Sequence, residues 1–508
     1  MVAAPVVRDS PVTVWPRIIL AGRWCVGGLV AAGLTLAAAN SIADDLPDLG
    51  DSSARMLSVE KEREYSEGLL RQLRNYDLSI TDPELVEYLE TLAYRLVQSS
   101  GRSEIHFHFE LIDVPVVNAF ASPGGLVVTF SQLMLHAETE SELAGVLAHE
   151  IAHVTQRHIT RRMESSMEDL LPILLGTVAL AIATQGQGDG AQAALAGGMA
   201  LLQQRQINFT RANEHEADRV GIQTLAKAGF DPIGMGDFFA RIGALHRTQG
   251  EKPPEYLQTH PVTATRVAEA KARADKLRAG TQLTSLEFML MRERLRVLST
   301  DDLPALVRFY QDAKRASEID PRALAYGLAL AQSRLGEAAE AHAALEKLAA
   351  KDPQRLSYQL ALAESERGAR DFDAANARYQ RLLEARPGHR VISIAYARSQ
   401  IERDGQEAGR RAAEVLRPLM SLHGDDPALQ ELYARANELA GQPVRAAEAY
   451  AQSYFLRGKF EDALRQLEQT AARDDLDYYD RARIDAQVAE WQPIVLRERR
   501  RAEERERG

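Results

Sequence analysis

Apolar positions recur in two different periods between residues 58 and 158, and the changes of period mark out the first elements. Over residues 58–75 they return every three to four positions with charged residues between, which predicts an amphipathic helix. Asp82-Pro83 is a helix start: a capping side chain, then a proline whose fixed φ suits the first helical position. Leu85, Leu89, Leu92 and Leu96 mark that helix's buried face. The period falls to two over residues 105–112. Ile105, Phe107, Phe109 and Leu111 take one side and His106, His108 and Glu110 the other, predicting a half-buried strand. Residues 114–120 and 125–130 are further strands, joined through Pro123-Gly124-Gly125. Pro115 favours a sheet-edge position for the first of these, since proline cannot donate to a ladder. The helical period returns over residues 141–158, with Leu143, Val146, Leu147 and Ile151 inward.

Beyond about residue 280 the chain turns rich in Ala, Leu, Glu and Arg, and a period of 34 appears from Arg322. Ala329 repeats at Ala363, Ala341 at Ala375, Leu345 at Tyr379, Leu348 at Leu382 and Pro353 at Pro387. A third copy drifts: Ala397 fits, Gly409 replaces the alanine, and the closing proline slips to Pro427. Gly441, Ala446 and Tyr450 suggest a fourth copy, and Gly458, Ala463 and Leu467 a fifth. Small residues at helix contacts in this period resemble the tetratricopeptide repeat, whose units stack into a superhelix with a concave surface suited to peptides or proteins. Contacts in such stacks run between sequence neighbours, so a fragment from about Asp301 is expected to carry its own core.

The N-terminus reads as a leader. Arg8, Arg17 and Arg23 precede an apolar stretch, 25–39, too short for a comfortable span of ~20 residues, and Ser41-Ile42-Ala43 offers a signal-peptidase site. We expect a signal peptide over 1–43, hence export; an uncleaved anchor is the alternative. Cys25 is the only cysteine, so disulfides and thiolate metal sites are excluded after cleavage. The chain carries −11; the leader's three arginines and Asp9 contribute +2, leaving −13, which excludes nucleic acid as a partner. The expected domains are 44–280, a mixed α and β domain; 281–321, a helical connector; 322–490, the repeats; and 491–508, a charged tail.

The chemistry sits at His149-Glu150-Ile151-Ala152-His153. Positions i and i+4 share one helix face, so two imidazoles can grip one Zn2+ ion per chain while Glu150 holds the attacking water. A catalytic zinc needs a third protein ligand and an open position. Glu214-His215-Glu216-Ala217-Asp218 supplies Glu214 as that ligand, and Asp218, one turn on, is placed to hold a ligand imidazole's tautomer. We count Glu150 and Asp218 as catalytic. His106 and His108, two apart, read as outward positions of a strand rather than a metal pair.

These two motifs, with Asn118-Ala-Phe-Ala-Ser-Pro-Gly-Gly125 and Thr259-His260-Pro261, resemble the HtpX-like and CaaX-prenyl-protease-like zinc metallopeptidases, gluzincins by their glutamate ligand. Together with the repeats, the resemblance is to periplasmic members of that group. It implies an α+β zincin-like metallopeptidase domain followed by an all-α tetratricopeptide-repeat superhelix. It further implies that Asn118, Ala119, Phe120 and Ala121 line the substrate cleft, and that His260 caps the zinc as a fourth ligand; the plain alternative for His260 is a surface loop. The clients implied are unfolded or misassembled envelope proteins, and the repeats would dock on the outer-membrane protein assembly machinery. Residues 170–202, two apolar arms around Gln185-Gly-Gln-Gly-Asp-Gly190, read as a lid whose surface could touch a membrane or a client. The leading expectation is a periplasmic zinc endopeptidase. The other is a chaperone or adaptor whose repeats act with little proteolysis.

Overall fold

The computed structural model describes residues 58–507, apart from 103, 163–209, 250–255, 258–259, 278–283 and 313–318. The expected leader and the 170–202 segment lie outside these residues. Residues from 58 onward belong to one compact unit.

Helix α1, Val59–Asn75, starts where Ser58 accepts from the Lys61 N–H, and α2, Pro83–Ser100, where Asp82 accepts from the Leu85 N–H. Three strands follow: β1 His108–Ile112, β2 Ala119–Ala121 and β3 Leu126–Phe130. Their order is β1-β3-β2, with β1 parallel and β2 antiparallel to β3; β2 is an edge, but it is shorter than the expected 114–120 and Pro115 lies outside it. Gly125 has φ +97°, and a Cβ there would lie 2.2 Å from the His106 carbonyl oxygen, so only glycine fits the turn into β3.

One expectation needs correcting. The first strand is shorter than 105–112 and is not half-buried. Its second face is covered by α1, where Leu73 packs with Ile112, Leu126, Val128 and Phe130. Glu110 is buried on that face, 3.0 Å from His108 Nε2 and 3.9 Å from Arg74. Alternation marks a strand, but a charged residue with a partner can sit under a helix.

Short α3, Ser131–His136, leads to α4, Glu140–Thr155, capped by Thr139 accepting from the Glu142 N–H. Every residue of α4 from Ser141 to Thr155 is buried, so it is the central helix of this half, flanked by α2, β2 and α6. Residues 210–227 form α5. Helices α6, Ile233–Gln249, and α7, Ala264–Leu277, complete an α+β half.

The rest is helical. Helices α8, Leu286–Leu298, and α9, Leu303–Gln311, precede the pairs α10 Pro321–Leu335 with α11 Ala338–Lys351, α12 Leu356–Gly368 with α13 Phe372–Ala385, and α14 Arg390–Arg403 with α15 Gln406–Leu416. After the single turn α16, Leu419–Leu422, come α17 Pro427–Leu439 with α18 Pro443–Leu456, then α19 Phe460–Ala471 and α20 Tyr478–Arg507. The repeat positions Ala329, Ala341, Leu345, Ala363, Ala375 and Tyr379 are all buried. Helices α10, α12, α14 and α17 contact one another in series, so alternate helices share a face. The drift of the third copy has two causes. The inserted α16 delays Pro427, and α15 approaches α17 so closely that a Cβ on Gly409 would lie 2.5 Å from the Ala440 nitrogen.

The two halves share one core. A continuous set of buried residues runs from Leu85 and Leu89 through Phe288 and Leu295 to Tyr326, Tyr358 and Leu362. Buried Arg294 in α8 bridges Asp82 at 2.8 Å, Glu84 at 2.9 Å and Glu364 at 2.9 Å. Further along, Arg390 meets Glu90 at 2.9 Å and Arg457 meets Asp77 at 2.8 Å, so the helical half leans back on α1 and α2. The expected self-contained core from Asp301 is therefore not what the packing has. The charged end of the chain is helical: α20 continues past residue 490, and Trp491 stacks on Phe455 at 4.3 Å. Among the described residues no helix is long and apolar enough to cross a membrane.

Candidate metal centre

Helix α4 carries His149 and His153 on one face, and α5 brings Glu214 and Asp218 against it, again four residues apart. His260 enters from the segment before α7. His149, His153, Glu214 and His260 are all buried, and their ligand atoms lie within 4.8 Å of one another. His149 Nε2 is 3.0 Å from His153 Nε2, 3.3 Å from His260 Nδ1 and 3.5 Å from Glu214 Oε2. His153 Nε2 is 3.4 Å from Glu214 Oε1, and His260 Nδ1 is 3.1 Å from the same carboxylate. Ligands about 2.0–2.2 Å from a tetrahedral centre sit about 3.3–3.6 Å apart, so these donors, 3.0 to 3.5 Å apart, are close to the spacing of a zinc site.

Glu150 lies beside them. Both its oxygens are buried and have no hydrogen-bond partner among the described residues; His260 Nε2 is 3.5 Å away. A buried carboxylate with no partner is costly unless something in the site compensates it. A cation in the cluster, with water beside it, would do so.

Asp218 does not reach the centre. Its Oδ1 lies 3.1 Å from His149 Nδ1, an approach that is off-line but close enough between buried groups to hold the ring with Nδ1–H toward the carboxylate. Arg266, from α7, grips Asp218 with two hydrogen bonds of 2.8 and 2.7 Å, meets Glu214 at 3.0 Å and donates to the Pro261 carbonyl at 2.8 Å. One guanidinium thus ties a candidate ligand, its neighbour and the His260 segment together. The charges follow this geometry. Burial pushes His149 down, but Asp218 and Glu214 outweigh it and lift it to about 9. Burial and the charge on His149 push His153 well below its ordinary value. Burial opposes ionisation of Glu214, yet His260 and His149 hold it well below the usual carboxylate range. The two carboxylates therefore stabilise positive charge on His149, while burial and that charge disfavour a second one on His153.

Asn118 is buried, Ala119 and Ala121 face the core beside α4, and half-buried Phe120 turns to the other face, 6.1 Å from Phe130. What β2 offers outward is therefore its backbone edge. The Tyr256 N–H donates to the Val117 carbonyl at 3.3 Å, and the Tyr256 ring lies 5.0 Å from His260. Sequence reasoning had no grip on Arg266, Tyr256 or His158; the first two join the site through tertiary contacts, and His158 through a local reversal of the chain.

A buried His-His-Glu donor set on two helices, with the Glu150 carboxylate alongside, defines a class of hydrolase. The chain belongs to peptidase family M48, the zinc metalloendopeptidases, whose profile matches residues 83–274. It is similar to the beta-barrel assembly-enhancing protease of Yersinia pestis, 32% identical over 91% of this chain and 94% of that protein. The protein of that name from Escherichia coli strain K12 is 33% identical over 90% of this chain and 93% of its own length. The mitochondrial metalloendopeptidase OMA1 of Schizosaccharomyces pombe is 29% identical over 35% of this chain.

Proposed function

We propose that the protein is a periplasmic zinc endopeptidase that removes misassembled envelope proteins and assists outer-membrane β-barrel assembly. The name of its full-length relatives supports the client class, and residues 1–43 support export after signal-peptide cleavage. His149, His153 and Glu214 would hold the zinc; their convergence around one point, beside a Glu150 whose buried oxygens accept no hydrogen bond among the described residues, carries the reading. A zinc ion held by these three residues would supply Lewis acidity to the scissile carbonyl and to an attacking water. Glu150 takes a proton from that water and passes it to the leaving amine. Asp218 orients His149 and is a positioning residue. An extended client pairs with the β2 edge through its backbone, which suits a protease that meets many sequences. The alternating helices form a tetratricopeptide superhelix that recruits clients or docks on the assembly machinery.

His260 closes this site at rest. Its Nδ1 sits among the ligand atoms, its Nε2 faces Glu150, and the backbone at Tyr256 is bonded next to β2. Ligand position, base and strand edge are thus engaged by one segment. That observation also favours a second reading, an adaptor in which hydrolysis is rare.

The test is a pair of variants. Glu150→Gln should keep zinc and lose casein hydrolysis, because the base is not a ligand; Glu214→Ala should lower zinc content. Cleavage by Glu150→Gln at the parent rate removes Glu150 from the mechanism. Full envelope-assembly activity in the same inactive variant selects the adaptor reading.

A further inference from the structure

A second histidine stands behind the site. His158 is 2% exposed and lies on the opposite edge of His153 from the ligand cluster. Its Nδ1 is 3.0 Å from His153 Nδ1, the two rings nearly perpendicular at 79°. Its Nε2 is 3.2 Å from Glu216 Oε2, and Arg161 donates to that same oxygen at 2.8 Å. The chain places it there by a sharp reversal. Helix α4 ends at Thr155, and Arg157 takes a left-handed φ of +52°, anchored to Glu62 at 2.7 Å. Non-glycine residues rarely hold that conformation, and here it folds His158 back onto His153.

Proton counting sets the direction of the chain. A carboxylate only accepts, so His158 Nε2 carries the proton shared with Glu216. A neutral imidazole has one N–H, so His158 Nδ1 is an acceptor and His153 Nδ1 must be the donor facing it. His153 Nε2 is then left as a bare lone pair, 3.0 Å from His149 Nε2 and 3.4 Å from Glu214. The arrangement mirrors the other ligand ring, where His149 Nδ1 faces Asp218 and Arg266 holds Asp218.

We propose that Glu216 and His158 are a positioning pair that fixes the tautomer and orientation of His153 for zinc. The pair rests on the reading of His153 as a ligand. His158 is not itself a ligand, because both its ring nitrogens are engaged away from the cluster.

The experiment measures zinc affinity of the purified full chain by competition with a chromophoric chelator, with circular dichroism and thermal melting to confirm folding. Variants are His158→Leu, which removes the acceptor; His158→Asn, whose side-chain oxygen keeps an acceptor near the Nδ1 position; Glu216→Ala; the double variant His158→Leu/Glu216→Ala; and His153→Ala. Losing an outer partner of a ligand histidine weakens metal binding about 10- to 100-fold. That loss is expected in His158→Leu, with most affinity kept in His158→Asn and an intermediate loss in Glu216→Ala. The double variant should be no weaker than His158→Leu, since Glu216 acts through His158. A folded His158→Leu within about twofold of the parent overturns the proposal, as do additive losses in the double variant. Loss as complete as in His153→Ala makes His158 a ligand and also overturns it. Should His158→Leu not fold, Glu216→Ala decides, and unchanged affinity there sinks the pair. Parent-like zinc binding by His153→Ala would overturn the ligand reading itself and the pair with it; loss there beside an unaffected His158→Leu overturns the pair alone.

Discussion

Glu150 and His260 face each other across 3.5 Å, and the closed resting state proposed above would turn on that pair. A fourth protein donor fills the position that water needs, so His260→Ala should raise basal casein cleavage and self-cleavage while zinc stays bound by the other three. A site closed nine-tenths of the time would gain about tenfold on opening. Basal activity unchanged in a zinc-loaded His260→Ala protein would return His260 to a passive loop. His149 and His153 are legible in the chain because they sit one helical turn apart, as do Glu214 and Asp218. Arg266 is not. It reaches Asp218 from 48 positions away, and nothing around it in sequence distinguishes it from any other helical arginine. His158 escapes for another reason: it follows α4 by only a few residues, but its place depends on the left-handed Arg157.

The helix start at Asp82 is easily read, because a capping side chain and a proline stand together in the sequence; Ser58 and Thr139 also cap through their side chains, but the apolar period alone does not single them out. Helix spacing is not readable, because it is set by small residues whose neighbours are distant. Gly145 on α4 is the clearest instance. A Cβ there would lie 2.8 Å from the Cα and 2.9 Å from the nitrogen of Met235 on α6, both backbone atoms that cannot rotate away. Gly234 makes the reciprocal contact, where a Cβ would meet the Ser141 carbonyl at 2.5 Å. Gly145→Ala should therefore cost about 1–3 kcal/mol, the usual cost of overpacking, although alanine is the better helix former by about 1 kcal/mol. Urea denaturation measures the difference. An unchanged or higher midpoint would mean that α4 and α6 can part without loss.

The period of 34 was readable because each copy of such a stack repeats the same neighbour contacts, whereas its docking on α2 was not, since Asp82 and Arg294 stand 212 positions apart. That docking decides how the molecule comes apart. A fragment beginning at Asp301 lacks Phe288, Leu295 and Arg294, and lacks α2 altogether. Tyr326, Leu330 and Tyr358 would lose the apolar surface they pack on, and Glu364 its guanidinium. Each large side chain re-exposed costs about 1.5–3 kcal/mol, so two or three of them consume much of the roughly 5–15 kcal/mol that holds a domain together. The helices from α14 onward keep clusters of their own, around Ala397 with Leu416 and around Leu467 with Trp491. The fragment should thus remain helical by circular dichroism, bind a hydrophobic dye, and melt broadly at a lower temperature than the full chain, with α10 to α12 the first to yield to a protease. A sharp transition at the full chain's temperature, with no dye binding, would show that the helical half needs no support from the peptidase half and that the shared core contributes little to its stability.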